Sequence, residues 1–358
     1  MRVYVDHTHL WRPVTGIERI AAQLFSQEAL APLDVVPVTA ANTGAMIAAQ
    51  TLGLPTRLVR SPSSLLLCPG FPPTPLLLAF GARVIPYVHD LFLLSRRQDL
   101  NWRARLYSAF PFGLAVRRLT RFMVNSADTA AKLAAYCRRD AEIVVYRPPA
   151  QNVFRLHPAD RAGRAVHAAG IRLAALGTVE PRKNLPAAAR IVEALRAQGY
   201  AAATLDIVGR RGWGGDWAQL SAMPGVTLHG YQPAARVSEI LERADALICT
   251  SHEEGLGLPL LEAQFAGLPV IAPDQPVFRE VLGVSGIFID PAKPDAAAAA
   301  IEMHFAVPDW RKTYVHLAAE NLRRWNDAAT ADRDRVVAWL GRLLREHASV
   351  RRQFGVAH

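Results

Sequence analysis

Cysteine is scarce in this chain and arranged for no framework. Cys68, Cys137 and Cys249 are the only three among 358 residues, and an odd number without close spacing supports neither a disulfide scaffold nor a zinc site. They suit small apolar packing in a reducing compartment. Long apolar runs are also missing. The most apolar stretch, Leu65 to Val88, is cut by Pro69, Gly70, Pro72, Pro73, Pro75 and Pro86, so it cannot form a spanning helix. No charged-then-apolar leader opens the sequence. A soluble, cytoplasmic protein is expected, with peripheral contact at the inner face of the cytoplasmic membrane left open. No G-x-G-x-x-G follows an expected strand, which weakens a dehydrogenase reading, and no Walker loop, H-E-x-x-H or nucleophile elbow occurs. Lysine stands only at 132, 183, 293 and 312. Arginine and alanine abound instead, as a GC-rich bacterial genome would write, so arginine alone carries little weight.

What is present begins with an uneven charge. Residues 1–165 hold 20 Lys+Arg against 10 Asp+Glu, whereas residues 166–358 hold 21 of each. The excess of positive charge therefore lies in the first half, where an anionic surface or a phosphate-bearing substrate could meet it. Nucleic acid is not expected as a partner, since no recognisable motif accompanies the charge.

Short apolar runs alternate with amphipathic stretches throughout, the pattern of parallel α/β architecture. Strands are expected at Arg2–Asp6, Val35–Val38, Ser64–Leu67, Val84–His89, Phe122–Asn125 and Ile143–Tyr146. The rhythm restarts at Arg172–Leu176, Thr204–Val208, Val226–Leu228, Ala246–Cys249, Val270–Ala272 and Ile287–Ile289. Helices are expected at Ile17–Leu30, Thr129–Arg138, Leu185–Gln198, Ala234–Ala244 and Leu260–Ala266. Two Rossmann-like domains follow, residues 1–165 and 166–330, with a polar linker at Gln151–Gly170. A terminal helix, about 331–358 and capped by Thr330, presents Val336, Val337, Leu340, Leu343 and Leu344 on one face and is expected to pack back on the first domain.

The strongest constellation is the run Ser251-His252-Glu253-Glu254-Gly255-Leu256-Gly257-Leu258-Pro259-Leu260-Leu261-Glu262. It follows a buried strand and enters a helix. Its glycines let backbone approach a ligand, Pro259 suits a first turn, and a helix N-terminus favours a diphosphate. Glu254 and Glu262 can face one crevice, where carboxylates suit sugar and ribose hydroxyls. The plain alternative is a Gly-Pro turn flanked by solvated acids. A second loop, Gly177-Thr178-Val179-Glu180-Pro181-Arg182-Lys183-Asn184, places two adjacent cations after a strand, suited to phosphate. A solvated charge pair at a helix entry is its plain alternative. His89 ends an apolar strand where ligand-facing positions occur, or it is a satisfied structural histidine.

The Glu254–Glu262 spacing resembles the E-x7-E pattern of the GT-B glycosyltransferases of family 4, which are retaining and metal-independent. The likeness spans nearly the whole chain. Gly177–Asn184 is similar to that family's donor-diphosphate loop, and Val208–Trp213, His229–Tyr231 and Trp325–Ala329 are similar to its later landmarks. Thr15-Gly16-Ile17-Glu18-Arg19 and His89-Asp90-Leu91 resemble a mannosyltransferase subgroup that builds polymannose O-antigens. Leu256 departs from the usual Phe. The resemblance implies two Rossmann-like domains facing a central cleft, the first for the acceptor and the second for the nucleotide-sugar donor.

It further implies Glu254 on the donor sugar, Glu262 on the ribose, and Arg182 and Lys183 on the departing diphosphate, with His89 among the catalytic residues. Gly16, Gly255, Leu256, Gly257 and Leu258 would help bind substrate. The implied activity is transfer of a hexose, mannose from GDP-mannose, to a glycan or lipid-diphosphate-linked glycan in cell-surface polysaccharide synthesis. No cofactor or metal is implied. Donation from a UDP-sugar or another GDP-sugar, and a non-catalytic sugar-nucleotide-binding module, are the alternatives.

Two tempting features receive other readings. Asp332-Arg333-Asp334 resembles a metal-holding D-x-D string but falls in the expected first turn of the terminal helix, where acids complement the dipole. Arg96, Arg97, Arg103, Arg105, Arg117, Arg118 and Arg121 interleave with apolar residues, as in a segment that lies on an anionic membrane. A solvated face over an ordinary core fits that segment equally well.

Overall fold

The computed structural model describes residues 2–12, 16–95, 109–158 and 170–354. Among these residues, twelve strands form two parallel six-stranded sheets. The first contains β1 (Arg2–His7), β2 (Asp34–Thr39), β3 (Leu65–Cys68), β4 (Val84–Val88), β5 (Arg121–Val124) and β6 (Glu142–Val145), in the order β2-β1-β3-β4-β5-β6. The second contains β7 (Arg172–Leu176), β8 (Thr204–Val208), β9 (Val226–Gly230), β10 (Ala246–Ile248), β11 (Val270–Pro273) and β12 (Gly286–Ile289), in the order β12-β11-β10-β7-β8-β9. Each sequence-expected strand is present, within one or two residues at its ends. The reason is physical: the central strands are buried on both faces, so Leu65–Cys68 and Val84–Val88 are apolar without a break.

Two compact units result. One comprises Met1–Pro149 with Asp327–His358, and the other Ala150–Asn326. Each has its own apolar core, with Leu54, Leu66, Val84 and Phe122 in the first and Leu173, Ile191, Leu205 and Ile248 in the second. In each sheet the strand order reverses direction once, between β1 and β3 and between β7 and β10. Such a switch point opens a crevice at the carboxyl ends of parallel strands.

The terminal helix corrects the sequence reading. It runs unbroken from Trp310 to Phe354, 45 residues, so Thr330 lies in its interior and caps nothing. Buried Trp310, Tyr314, Ala318, Leu322, Trp325, Ala329, Asp332, Val336 and Leu340 continue one stripe at three- and four-residue spacing. The polar stretch Asn326–Thr330 mimics a break, but its Ala329 keeps the stripe in register. Asp332 is likewise interior and not in a first turn. It is 1% exposed, accepts from Arg147 Nε at 2.5 Å and also pairs with Arg335. Three helices begin and end earlier than expected: Gly16–Leu24, Ala127–Ala134 and Leu258–Gln264.

Of the basic segment, Arg96, Arg97, Arg103 and Arg105 lie outside the described residues. Arg117 and Arg118 end the helix Phe110–Arg118. Arg121 is structural: it donates to the Ala82 carbonyl at 3.0 Å and pairs with Glu142 and Glu346 at 3.9 and 3.6 Å. Thr15 and most of the linker, residues 159–169, also lie outside the described residues.

Candidate active site

The second switch point gathers charge. After β7 the chain turns through Pro181–Lys183 and reaches Asn184 in a left-handed conformation, φ 48°, which asparagine tolerates better than most residues. After β10 the chain enters Thr250–Gly257. The two loops are stitched together by one side-chain and one backbone bond: the Thr250 hydroxyl donates to the Asn184 carbonyl at 2.9 Å, and His252 N donates to the Arg182 carbonyl at 2.9 Å. That stitching fixes where the side chains meet.

They meet on Glu254. Its Oε1 accepts from Lys183 Nζ at 2.5 Å and from Ser251 Oγ at 2.6 Å, while Oε2 accepts from Arg182 Nη1 at 3.1 Å. Burial by itself would raise this carboxyl, but the Lys183 and Arg182 charges and the donated hydrogen bonds hold it at about 2. Arg182 also donates to Glu180 Oε1 at 3.1 Å and to the Glu253 carbonyl at 3.0 Å. Glu180 is 6% exposed, and burial pushes its carboxyl up despite Arg182 and Lys183. The two cations are therefore not the solvated pair that a helix entry could have carried; their side chains are 18% exposed.

Lys183, Ser251, Glu254, Gly257 and Leu260 line one crevice. Gly257 has φ 82°, a left-handed turn into the helix that a side chain would strain. Leu256 is buried at 4% and Leu258 at 8%, and Gly255 is buried between them and Glu254. Glu262 is 3% exposed and stands two residues beyond Leu260 on the same helix. The structure thus brings Arg182, Lys183 and Glu254 together, with Glu262 buried on the adjoining helix.

The first switch point is built of histidine. His89 follows β4, and its Nε2 lies 2.6 Å from the Pro69 carbonyl. A carbonyl only accepts, so Nε2 carries the hydrogen and Nδ1 keeps its lone pair. Burial lowers this imidazole below its ordinary range. His89, Asp90, Ile17, Gly70 and Phe71 line a pocket of about 240 Å³. Asp90 accepts from Phe92 N at 3.1 Å, which orients the turn. Gly16 opens its helix with no protein atom within 4 Å of where a Cβ would stand.

Sequence reasoning missed three residues here. Asp6, His7 and His9 follow one another around Thr8 at the end of β1, and all are buried. Asp6 accepts from Thr8 N and Oγ1 at 3.1 and 2.6 Å and from Gln50 Nε2 at 3.1 Å. Among the described residues, His7 Nε2 and both ring nitrogens of His9 have no hydrogen-bond partner, and burial lowers both imidazoles to about 4. A Cβ on Gly70 would stand 2.3 Å from the His9 ring, so only glycine admits it. The available signal was the D-H-T-H run directly after a buried strand.

Comparison with known proteins places this geometry. Residues 170–306 match the family described as Glycosyl transferases group 1. The chain resembles the GT-B glycosyltransferases of family 4. Its first unit and terminal helix extend the resemblance: the crystal structure of Anabaena Alr3699/HepE in complex with UDP and glucose superposes with TM-score 0.66 over 95% of this chain and 99% of that one, at 16% identity. The fold is accordingly GT-B. Among curated relatives, the O-antigen chain mannosyltransferase B of Escherichia coli is 30% identical over 162 residues, 43% of this chain and 42% of that protein. The serotype-specific mannosyltransferase WbdA of Escherichia coli is 29% identical over 281 residues, 70% of this chain and 33% of that protein. The chain thus spans less than half the length of these relatives.

Proposed function

We propose that this protein is a retaining, metal-independent glycosyltransferase that moves a hexose from a nucleotide sugar to a glycan or lipid-diphosphate-linked glycan. The observation that carries the reading is the Arg182–Lys183–Glu254 cluster at the switch point of the second sheet. Two cations held largely out of solvent are suited to charge that develops on a departing diphosphate. They do there what a divalent ion does in metal-dependent transferases, which is why metal independence is part of the proposal.

Chemically, the bond from the anomeric carbon to the phosphate oxygen breaks while an acceptor hydroxyl attacks from the same face through an oxocarbenium-like state. The acceptor proton passes to the leaving phosphate oxygen, and Arg182 and Lys183 stabilise that oxygen. Glu254 presets both cations, and its carboxylate keeps acceptor capacity for a sugar hydroxyl beside the three donors already bound. Glu262 holds the ribose. Gly255, Leu256, Gly257 and Leu258 shape the turn that surrounds the donor, and Gly16 offers backbone to the diphosphate. His89, neutral and with Nδ1 as an acceptor, orients a hydroxyl in the pocket of the first unit. Ser251 and Thr250 act by position, one on Glu254 and the other on the Arg182–Asn184 loop.

Mannose from GDP-mannose is the proposed donor, supported by the two mannosyltransferase relatives, and cell-surface polysaccharide synthesis at the cytoplasmic face is the proposed setting. A base pocket that hydrogen-bonds one base edge discriminates strongly, because the wrong base leaves buried polar groups unpaired. A panel of nucleotide sugars tests the assignment by thermal shift and then by hydrolysis without acceptor. GDP-mannose is expected to stabilise the protein and to be slowly hydrolysed. Stabilisation by UDP-glucose and not by GDP-mannose would defeat the mannosyl assignment and leave the transferase reading standing. No stabilisation by any member would defeat both.

A further inference from the structure

The pocket of the first unit is poorly equipped to hydrogen-bond what enters it. At about 240 Å³ it is smaller than the roughly 300–1,000 Å³ of sites that take drug-sized ligands. It has room for a single ring and none for a long chain. Its walls are apolar: Ile17 from the first helix, Phe71 after β3, Val88 at the end of β4, then Phe92, Leu93 and Phe112. His89 and Asp90 form its polar edge.

Most polar atoms of this lining are already committed. The Tyr87 hydroxyl donates to the Tyr146 carbonyl at 2.9 Å. His89 gives its Nε2 hydrogen to the Pro69 carbonyl, and its own carbonyl accepts from Asn125 Nδ2 at 2.7 Å. Asp90 Oδ1 is taken by Phe92 N. The backbone adds little, because Pro72 and Pro86 carry no N–H and the Tyr87 and Val88 backbones lie in the ladder with Met123 and Val124 of β5. The His9 ring packs against Gly70 without itself lining the pocket. Among the described lining residues, the uncommitted side-chain atoms are thus His89 Nδ1 and Asp90 Oδ2, both acceptors.

A hexose brings more hydroxyls than these two acceptors can serve. Each hydroxyl that gives up its water in such a pocket without finding a partner weakens binding. A methyl group at the same place gains by leaving water for the apolar walls. The arrangement therefore fits a ring with few hydroxyls, one of which reaches the His89–Asp90 edge while an apolar substituent faces the rest.

We propose that this pocket selects a deoxyhexose as the reactive end of the acceptor, a sugar that carries a methyl group where a full hexose has its hydroxymethyl arm. The inference rests on the reading of the first-unit pocket as the place where an acceptor hydroxyl is oriented, and it adds the chemical class of that acceptor. The small volume favours a deoxyhexose over an alkyl aglycone, which would need a channel leading onward.

The test uses the full chain with two glycosides of one configuration, methyl α-D-rhamnoside and methyl α-D-mannoside, which differ only in that hydroxyl. Octyl α-D-mannoside is added to probe for an alkyl chain. Binding is followed by ligand-observed NMR without nucleotide. The rhamnoside is expected to bind about 10–100-fold more tightly than methyl mannoside, the range over which an apolar site rejects an added hydroxyl. Octyl mannoside should bind no better than methyl mannoside. Leu93→Asn gives the half-buried wall a hydrogen-bonding group and should lower the preference about fivefold, the worth of one hydrogen bond. Ile17→Asn makes the same change at a position 42% exposed, where the core does not depend on the side chain; melting temperatures check both variants.

Equal affinity for the two methyl glycosides, a preference for the mannoside, or binding of none of the three would overturn the proposal. Tighter binding of octyl mannoside than of the rhamnoside, or an undiminished preference in folded variants, would do the same. Nucleotide-sugar hydrolysis without acceptor is measured in parallel. Its absence together with the expected preference would sink only the transferase reading, and hydrolysis without the preference would sink only the deoxyhexose.

Discussion

The two switch points differ in how their polar groups are satisfied. In the second unit, Glu254 is buried and ionised, with Lys183, Arg182 and Ser251 on its carboxylate. In the first unit, His7 and His9 are buried and His89 is half-buried, all three imidazoles are lowered by burial, and three ring nitrogens of His7 and His9 have no partner among the described residues. One site is electrostatically complete before any ligand arrives. The other carries the desolvation cost of unpaired imidazole, about 1–3 kcal/mol for each buried group left without a partner. In the proposed reaction, strong fixed charge would serve a departing diphosphate, and neutral donors and acceptors would serve hydroxyls.

The sharpest way to break this contrast is to remove a cation. Lys183→Ala is expected to lower the single-turnover rate by roughly 10²–10³, the usual loss when a donor to developing oxyanion charge is deleted. Arg182 and Ser251 still hold Glu254 in that variant, so folding should survive; circular dichroism checks it. Turnover within twofold of the native rate would mean that the leaving group is stabilised elsewhere.

Acid should separate the units next. His7 and His9 sit at about 4 in the folded chain, against 6.5 when unfolded. Below 6.5 the unfolded chain binds protons that the folded chain refuses, so stability falls as pH drops from 6.5 to 4. At about 1.36 kcal/mol per unit, each histidine contributes at most about 3 kcal/mol to that loss. Glu254 has the same sign in a lower window: depressed to about 2 from 4.5, its contribution is complete above 4.5 and is lost as pH falls from 4.5 towards 2. Asp6 and Glu180, raised by burial, gain stability on acidification and soften both slopes. Hydrogen exchange between pH 7 and 5 should therefore show first-unit peptides losing protection before those of the second unit. His9→Leu should flatten the first-unit slope. Simultaneous loss in both units would end the contrast.

Within the second unit, the two glutamates should behave differently. Glu262→Ala is expected to weaken plain nucleoside diphosphate binding by about 10–100-fold, the worth of hydrogen bonds to a charged group. Glu254→Gln should preserve that affinity or tighten it, because Arg182 and Lys183 lose their internal anion, while turnover disappears. Calorimetric titration of both variants decides; equal losses of affinity would remove the division of labour.

How much of this was legible in the sequence depends on the range of the interaction. The strands were, because a parallel strand buried on both faces is an apolar run that any window detects. The start of the terminal helix was not, because Asn326–Thr330 imitates a cap while the buried stripe from Trp310 to Leu340 passes through it. Arg182, Lys183 and Glu254 could each be singled out from local chemistry. Their mutual pairing could not, since 71 residues separate Lys183 from Glu254 and only the order of β7 and β10 brings them together. His9 was invisible for the same reason: its meaning lies in Gly70, which belongs to another strand's loop.

The smallest expected effect concerns Gly16. Nothing among the described residues requires glycine there: beyond its own helix and chain neighbours, no described atom lies within 4 Å of where a Cβ would stand. Alanine restricts the unfolded chain and favours the first turn of Gly16–Leu24, so Gly16→Ala should stabilise the protein by about 0.4–1 kcal/mol. A ligand is a different matter. If backbone at Gly16 approaches the diphosphate, a methyl group takes that space and the donor KM rises several-fold while the melting temperature holds or climbs. A more stable variant that binds its donor less well would show a glycine kept for a ligand and not for the chain. A variant with unchanged KM would make Gly16 an ordinary helix start and leave the donor's charge to the second unit alone.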